Sequence, residues 1–252
     1  MKKSWLLLGV IVAIGLAGLA VATLPLPQGL VAFDSPEGRA LLFRSTANAD
    51  YFPLAEHFVT EEHLTYCGPA SMVMVLNGLG VPAPETPEFG EYRYFTQDSL
   101  FARADVREIA DPDAVSKNGM TLREVGAALG QYGVNVTVYH ADESSLDEFR
   151  RLAAENLARE GDFIIVNYLR TAVGQVGGGH FSPVAAYDEE SDRFLILDVA
   201  RYKYPPVWVP AEDLFSAMDT VDSDSGERRG FISAAFRPEE RSRGTPRGNI
   251  LL

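Results

Sequence analysis

The chain holds one cysteine, Cys67, in the run Tyr66-Cys67-Gly68-Pro69-Ala70-Ser71. A single cysteine excludes an intrachain disulfide and a cysteine-rich metal cage. Two readings are left for it. One is a small buried hydrophobe; the other is a nucleophile, which needs a histidine and an acidic or amide partner elsewhere in the chain. The Tyr-Cys-Gly-Pro context favours the second. Val73, Leu76 and Gly80 follow at helical spacing, so Cys67 opens a helix. Free N–H groups and the helix dipole favour a thiolate there. His180 follows Gly177-Gly178-Gly179, which let its backbone come close to other groups. Asp198 ends an apolar strand, where an unpaired carboxylate is costly. His180 is its nearest candidate partner, and an acid there orients an imidazole and stabilises its protonated form. On these residues alone, a core thiol and a structural histidine stay open. His57, His63 and His140 lack such settings and read as surface or loop residues.

These side chains need elements to hold them. The helix from Cys67 stops near Gly78 or Gly80. Residues 81–118 read as loop-rich. Thr121-Leu122-Arg123-Glu124 is a capping box that starts a second helix, and Ser145-Leu146-Asp147-Glu148 repeats the pattern for a third. Residues 134–139 alternate as a strand, and 163–168 form a short apolar run. His180–Tyr187 and Arg193–Val199 flank an acidic turn and read as a hairpin. A helix at 211–219 and a strand at 231–236 close the body. Helices precede a mostly antiparallel sheet, which indicates an α+β fold rather than a Rossmann-type one.

Composition bounds the rest. The 252 residues suit one globular domain with a short extra segment. Net charge is −13, which argues against a nucleic-acid partner. Lys2-Lys3 precede an apolar run from Trp5 to Ala22, close to the ~20 residues that span a bilayer. Residues 1–24 therefore read as a signal peptide or signal anchor, with the protein exported and touching membrane only through that segment. Residues 25–49 read as a linker, 50–236 as the catalytic domain and 237–252 as a polar tail.

Several stretches resemble the phytochelatin synthase family, cysteine transpeptidases of the papain-like clan. They are Tyr66-Cys67-Gly68 to Leu76-Asn77, Gly178-Gly179-His180-Phe181-Ser182-Pro183, the long run Leu197-Asp198-Val199-Ala200-Arg201-Tyr202-Lys203-Tyr204-Pro205-Pro206-Val207-Trp208-Val209-Pro210, Ala217 to Asp222, and Arg228 to Phe231. The resemblance implies a papain-like fold, with a helical half carrying Cys67 packed on an antiparallel sheet carrying His180 and Asp198. It implies Cys67 as nucleophile, His180 as general base and acid, and Asp198 as orienter. Glutathione is the implied substrate: glycine leaves its Cys–Gly bond, and a γ-glutamylcysteinyl thioester passes to water or to a second glutathione. Asp222 and Arg229 match the family's residues for the γ-glutamyl head, and Arg170 is a further candidate. No cofactor is implied; Cd or Zn enters as a glutathione-thiolate complex. A homodimer is compatible with this reading.

The chain departs from the family at one informative position. Glu61 stands where the family has a glutamine whose amide donates to the oxyanion. An ionised carboxylate has no proton to give and repels developing negative charge. This favours either a protonated Glu61, another donor, or a slow enzyme. It also motivates an alternative: a catalytically silent glutathione or metal-thiolate binding protein. A leader-peptide protease with the same Cys-His-Asp order is a weaker third reading, which the Asp222 and Arg229 match opposes. The chain resembles the short bacterial members, which favour glycine removal over polymerisation.

Overall fold

Residues 162–169 and 179–188 are apolar with little alternation, as strands buried on both faces are. They form β3 (Asp162–Leu169) and β4 (Gly179–Asp188), the centre of a seven-stranded antiparallel sheet. The computed structural model describes residues 23–87 and 89–236. The apolar run of the amino terminus and the tail from 237 lie outside the described residues. Among those described, no helix is long and apolar enough to cross a membrane.

The remaining strands are β1 (Val31–Ala32), β2 (Asn135–His140), β5 (Arg193–Ile196), β6 (Val207–Pro210) and β7 (Gly230–Ala235), and the sheet order is β1-β6-β5-β4-β3-β7-β2. Successive residues of a strand face opposite sides, and β3 shows what that does here. Phe163 and Ile165 enter one core with the helices α3 (Cys67–Gly78) and α6 (Leu122–Gln131). Ile164, Val166 and Tyr168 enter a second core with α7 (Leu146–Leu157) and α8 (Ala211–Met218). Helices thus cover both faces of the sheet, because the central strands are apolar on both. α3 is buried from Cys67 through Leu76, so it has no solvent face.

The expected α+β arrangement is present, with differences in detail. The acidic hairpin joins β4 to β5 through Asp192, whose φ of 51° is a left-handed value that Asp tolerates. The capping box at Thr121 and Glu124 is complete. At Ser145 only the side-chain half forms, where the hydroxyl accepts from the Glu148 N–H. The segment read as linker carries structure. β1 pairs with β6, and α1 (Pro36–Arg44) starts at a Ser35 cap with proline in its first turn. Trp208 Nε1 donates to the Gly38 carbonyl and ties α1 to the sheet. The short helix α2 (Tyr51–Glu56) follows it. Residues 81–118, read as loop, contain α4 (Ala104–Ile109) and α5 (Pro112–Asn118). α5 starts with an Asp111 cap and Pro112, a start signal that was present in the sequence.

Candidate active site

α3 brings Cys67 to the floor of a cleft of about 540 Å³. Tyr66 precedes the helix and makes no side-chain cap, so the first N–H groups of α3 are left for other partners. The thiol is buried. Burial pushes it up to about 12, and the nearby Glu61 charge adds to the shift. The backbone N–H groups of Phe181 and Gly68 and the Arg170 charge act the other way and do not offset it.

The opposite wall is the start of β4. A β-bulge between Val184 and Ala186 changes the β4–β5 register by one residue. Such a slip moves a side chain to the other face of a sheet, and it brings the segment after β5 alongside His180. Asp198 Oδ1 lies 2.9 Å from His180 Nε2. Ser182, two residues on and on the same face, places its hydroxyl 3.1 Å from that nitrogen and accepts from the Val199 N–H. With Nε2 engaged, Nδ1 is the ring nitrogen left for the thiol. A ring nitrogen of His180, Cys67 Sγ and a Glu61 oxygen all lie within 4.8 Å of one another. Burial holds the His180 imidazole below its ordinary range, against the opposing Asp198 charge.

Asp198 is fully buried and ionised. Burial alone would raise its carboxyl; the charges and hydrogen bonds of His180 and Arg170 outweigh that and hold it far down. Arg170 follows β3 directly and grips Asp198 in a two-pronged pair, both contacts 2.8 Å. It also donates to Gln175 Oε1 at 2.6 Å and lies over the Tyr204 ring. Its guanidinium is thus committed to Asp198 and the loop around it. Two of the three glycines before His180 are explained by crowding. A Cβ on Gly179 would lie 2.9 Å from the Arg229 guanidinium, and one on Gly177 would meet Lys203 and Arg170 at similar range.

Glu61 sits beside Cys67, buried, with its N–H donating to the Val199 carbonyl. One carboxylate oxygen accepts from Tyr202 OH; the other has no partner. Burial raises its carboxyl, the Tyr202 bond lowers it in part, and the Asp198 charge raises it further. At the other end of the cleft Arg229 Nη2 lies 3.5 Å from Asp222 Oδ1. Arg229 is anchored to the Val221 carbonyl at 2.6 Å, with Nε left unpartnered.

The structure therefore gathers Cys67, His180, Glu61, Asp222, Arg229 and Arg170 along one cleft, with Asp198 fully buried against His180. Arg170 lines the cleft while its guanidinium is paired with Asp198. Sequence reasoning overlooked Ser182, Gln175, Tyr202 and Asn167. Asn167 lines the cleft with a buried, unpartnered Oδ1. Its signal was available, as the only polar residue between Phe163 and Tyr168 in an apolar strand. His140, read as a surface or loop residue, is buried at the end of β2 and bonded through Nδ1 to the Arg228 carbonyl.

The chain has relatives among known proteins. Glutathione gamma-glutamylcysteinyltransferase 1 of Arabidopsis thaliana is 34% identical over 221 residues, covering 86% of this chain and 44% of the plant protein. The enzyme of that name in Schizosaccharomyces pombe is 33% identical over 210 residues, covering 82% of this chain and 49% of the yeast protein. The chain thus spans less than half the length of these curated relatives. Among solved structures, the peptidase domain of Streptococcus ComA aligns with a TM-score of 0.41 at 17% identity, covering 71% of this chain and 97% of that domain. The phytochelatin synthase family model matches residues 21–231, most of the chain and the whole of the cleft. With the family's matched span enclosing every residue of this site, the chain belongs to the phytochelatin synthase family.

Proposed function

We propose that this protein is a glutathione γ-glutamylcysteinyltransferase working through Cys67, His180 and Asp198. The observation that carries the reading is the buried thiol at a helix start, facing an imidazole whose far nitrogen is held by a buried carboxylate. His180 takes the Cys67 proton as Sγ attacks the carbonyl carbon of the Cys–Gly bond. The C–N bond breaks, and the same proton goes to the departing glycine nitrogen. The γ-glutamylcysteinyl thioester then passes to water or to a second glutathione. Asp222 meets the α-amino group of the γ-glutamyl head, and Arg229 meets its carboxylate through a guanidinium fork. Arg170 acts as a positioning residue for Asp198 rather than as a substrate ligand. Any metal in the reaction arrives as a glutathione-thiolate complex.

The test is incubation of the purified protein with glutathione, with and without cadmium, with glycine and acyl-enzyme followed by mass spectrometry. Wild type releases glycine and Cys67→Ala does not; a folded wild type that releases none refutes the proposal. Ligand binding without turnover would instead support the silent binding protein that Glu61 brings to mind. Glu61→Gln raises turnover tenfold or more, since one oxyanion donor is worth on the order of 100-fold and the change also removes a charge beside the thiol. An unchanged or lower rate takes Glu61 out of the oxyanion site. The basic, apolar amino terminus supports placing the domain outside the cytoplasm, which cell fractionation checks.

A further inference from the structure

Acyl transfer needs a thiol and an imidazole at close range, but it does not need a buried carboxylate beside them. Here there is one. Glu61 is 6% exposed, and one of its oxygens has no hydrogen-bond partner. The geometry points to a second use of the cleft floor: a site for one thiophilic divalent cation, Zn²⁺ or Cd²⁺, bound by Cys67 Sγ, His180 Nδ1 and the free oxygen of Glu61.

The three side chains each offer a ligand atom, and these atoms lie within 4.8 Å of one another. Ligands at ~2.0–2.3 Å from a tetrahedral zinc sit roughly 3.3–3.8 Å apart. Closing around the ion therefore asks each side chain for a shift of about an ångström or less. The outer contacts are already those of a metal site. A ligating histidine usually gives its second ring nitrogen to a carboxylate, and His180 Nε2 is held by Asp198. Tyr202 donates to the other oxygen of Glu61 and so leaves one oxygen for the ion. Charge also balances. A Cys67 thiolate and a Glu61 carboxylate neutralise a dication, whereas Arg170, the nearby guanidinium, is committed to Asp198. The donor set of thiolate, imidazole and a single carboxylate suits Zn²⁺, Cd²⁺ or Co²⁺ and not Mg²⁺ or Ca²⁺, which want oxygen alone. A fourth position opens to the cleft for water. On binding, the Cys67 S–H bond breaks, the sulfur bonds the metal and the proton leaves to solvent. An ion held there occupies both nucleophile and base, so it inhibits acyl transfer.

Tag-free, full-length protein is titrated with Zn²⁺ by calorimetry and with Co²⁺ by absorption. One ion per chain is expected, with a thiolate-to-cobalt charge-transfer band and the intense visible bands of a tetrahedral centre. Glu61→Gln weakens Zn²⁺ binding by at least ~10-fold, the lower end for disturbing a metal's ligand shell. Because Cys67 is the only cysteine, iodoacetamide uptake reports on it alone. Zn²⁺ slows alkylation in wild type, EDTA restores it, and alkylated protein loses the cobalt band. The proposal is overturned if wild type shows no charge-transfer band, if Glu61→Gln binds as tightly as wild type, or if alkylated protein binds as well as free. Should Glu61→Gln fail to fold by circular dichroism, the alkylation arm on wild type decides. None of these readouts uses glutathione, so they stand apart from the activity proposed above.

Discussion

β3 has a buried aspartate near each of its ends, and the two behave in opposite ways. Where β3 finishes, Arg170 reaches back to Asp198, and His180 and the Ala200 N–H complete its set of partners. Where β3 begins, Asp162 approaches Asp50, which precedes α2 and has no partner on either oxygen. Burial first and the Asp162 charge second push the Asp50 carboxyl up to about 9. The residue type is the same and the burial is similar. The difference is the presence of His180 and Arg170, and such partners decide whether a buried carboxyl is an anion that can steady a cationic imidazole or a neutral acid.

That contrast can be broken at several points. Asp198→Asn keeps the shape and removes the charge that stabilises protonated His180. Glycine release from glutathione should fall on the order of 10⁴-fold, as for loss of the equivalent charge in a serine triad. A loss under tenfold would show that Asp198 only fills space. Arg170→Met leaves the buried Asp198 with only His180 and the Ala200 N–H as partners and should cost about 3 kcal/mol, the lower end for breaking a buried ion pair. Urea unfolding measures this, and an unchanged midpoint would remove Arg170 from its role as partner.

Asp50→Asn tests the other end and should stabilise. Folded Asp50 holds its proton to about pH 9, whereas in the unfolded chain it ionises near pH 4. Wild-type stability therefore falls as pH rises through that window. The variant escapes this and should gain about 1 kcal/mol or more at pH 8, a rise of about 2–4 °C in Tm, with a smaller gain at pH 5. Equal gains at both pH values would contradict the raised carboxyl. The smallest effect is expected at Arg44→Met. The Arg44 hydrogen bonds hold the Asp188 carboxyl down to about 2, so they contribute stability that is present above pH 4 and lost as pH falls toward 2. The variant should melt slightly earlier than wild type at pH 6 and at the same temperature near pH 2.

Much of the site was legible before any coordinates. Cys67, His180 and Asp198 each stood in a setting that a merely structural residue does not need: a helix start, a glycine run, and the end of an apolar strand. Capping residues announced α6 and α7, and alternation announced β2. Other features were signalled and passed over. Ser35-Pro36 and Asp111-Pro112 are start signals of the same kind as Thr121, but the helices behind them are short and lie among prolines and acids. The pairing of Arg170 was hidden for a different reason. A lone arginine after a strand carries no local mark of what it will pair with, and its partner is 28 residues away.

By itself, the sequence determined most of the elements from Cys67 onward, the α+β class and the family, and it singled out Cys67, His180 and Asp198 as candidates, because each rests on local pattern or on motifs that keep their spacing. Tertiary structure alone decided where the charges ended up. The bulge in β4 turns Asp198 toward His180, and His180 and Arg170 together hold Asp198 as an anion. The loop carrying Glu61 leaves one carboxylate oxygen bare beside the thiol. Burial and long-range pairing set protonation states, and neither is written in the order of neighbouring residues.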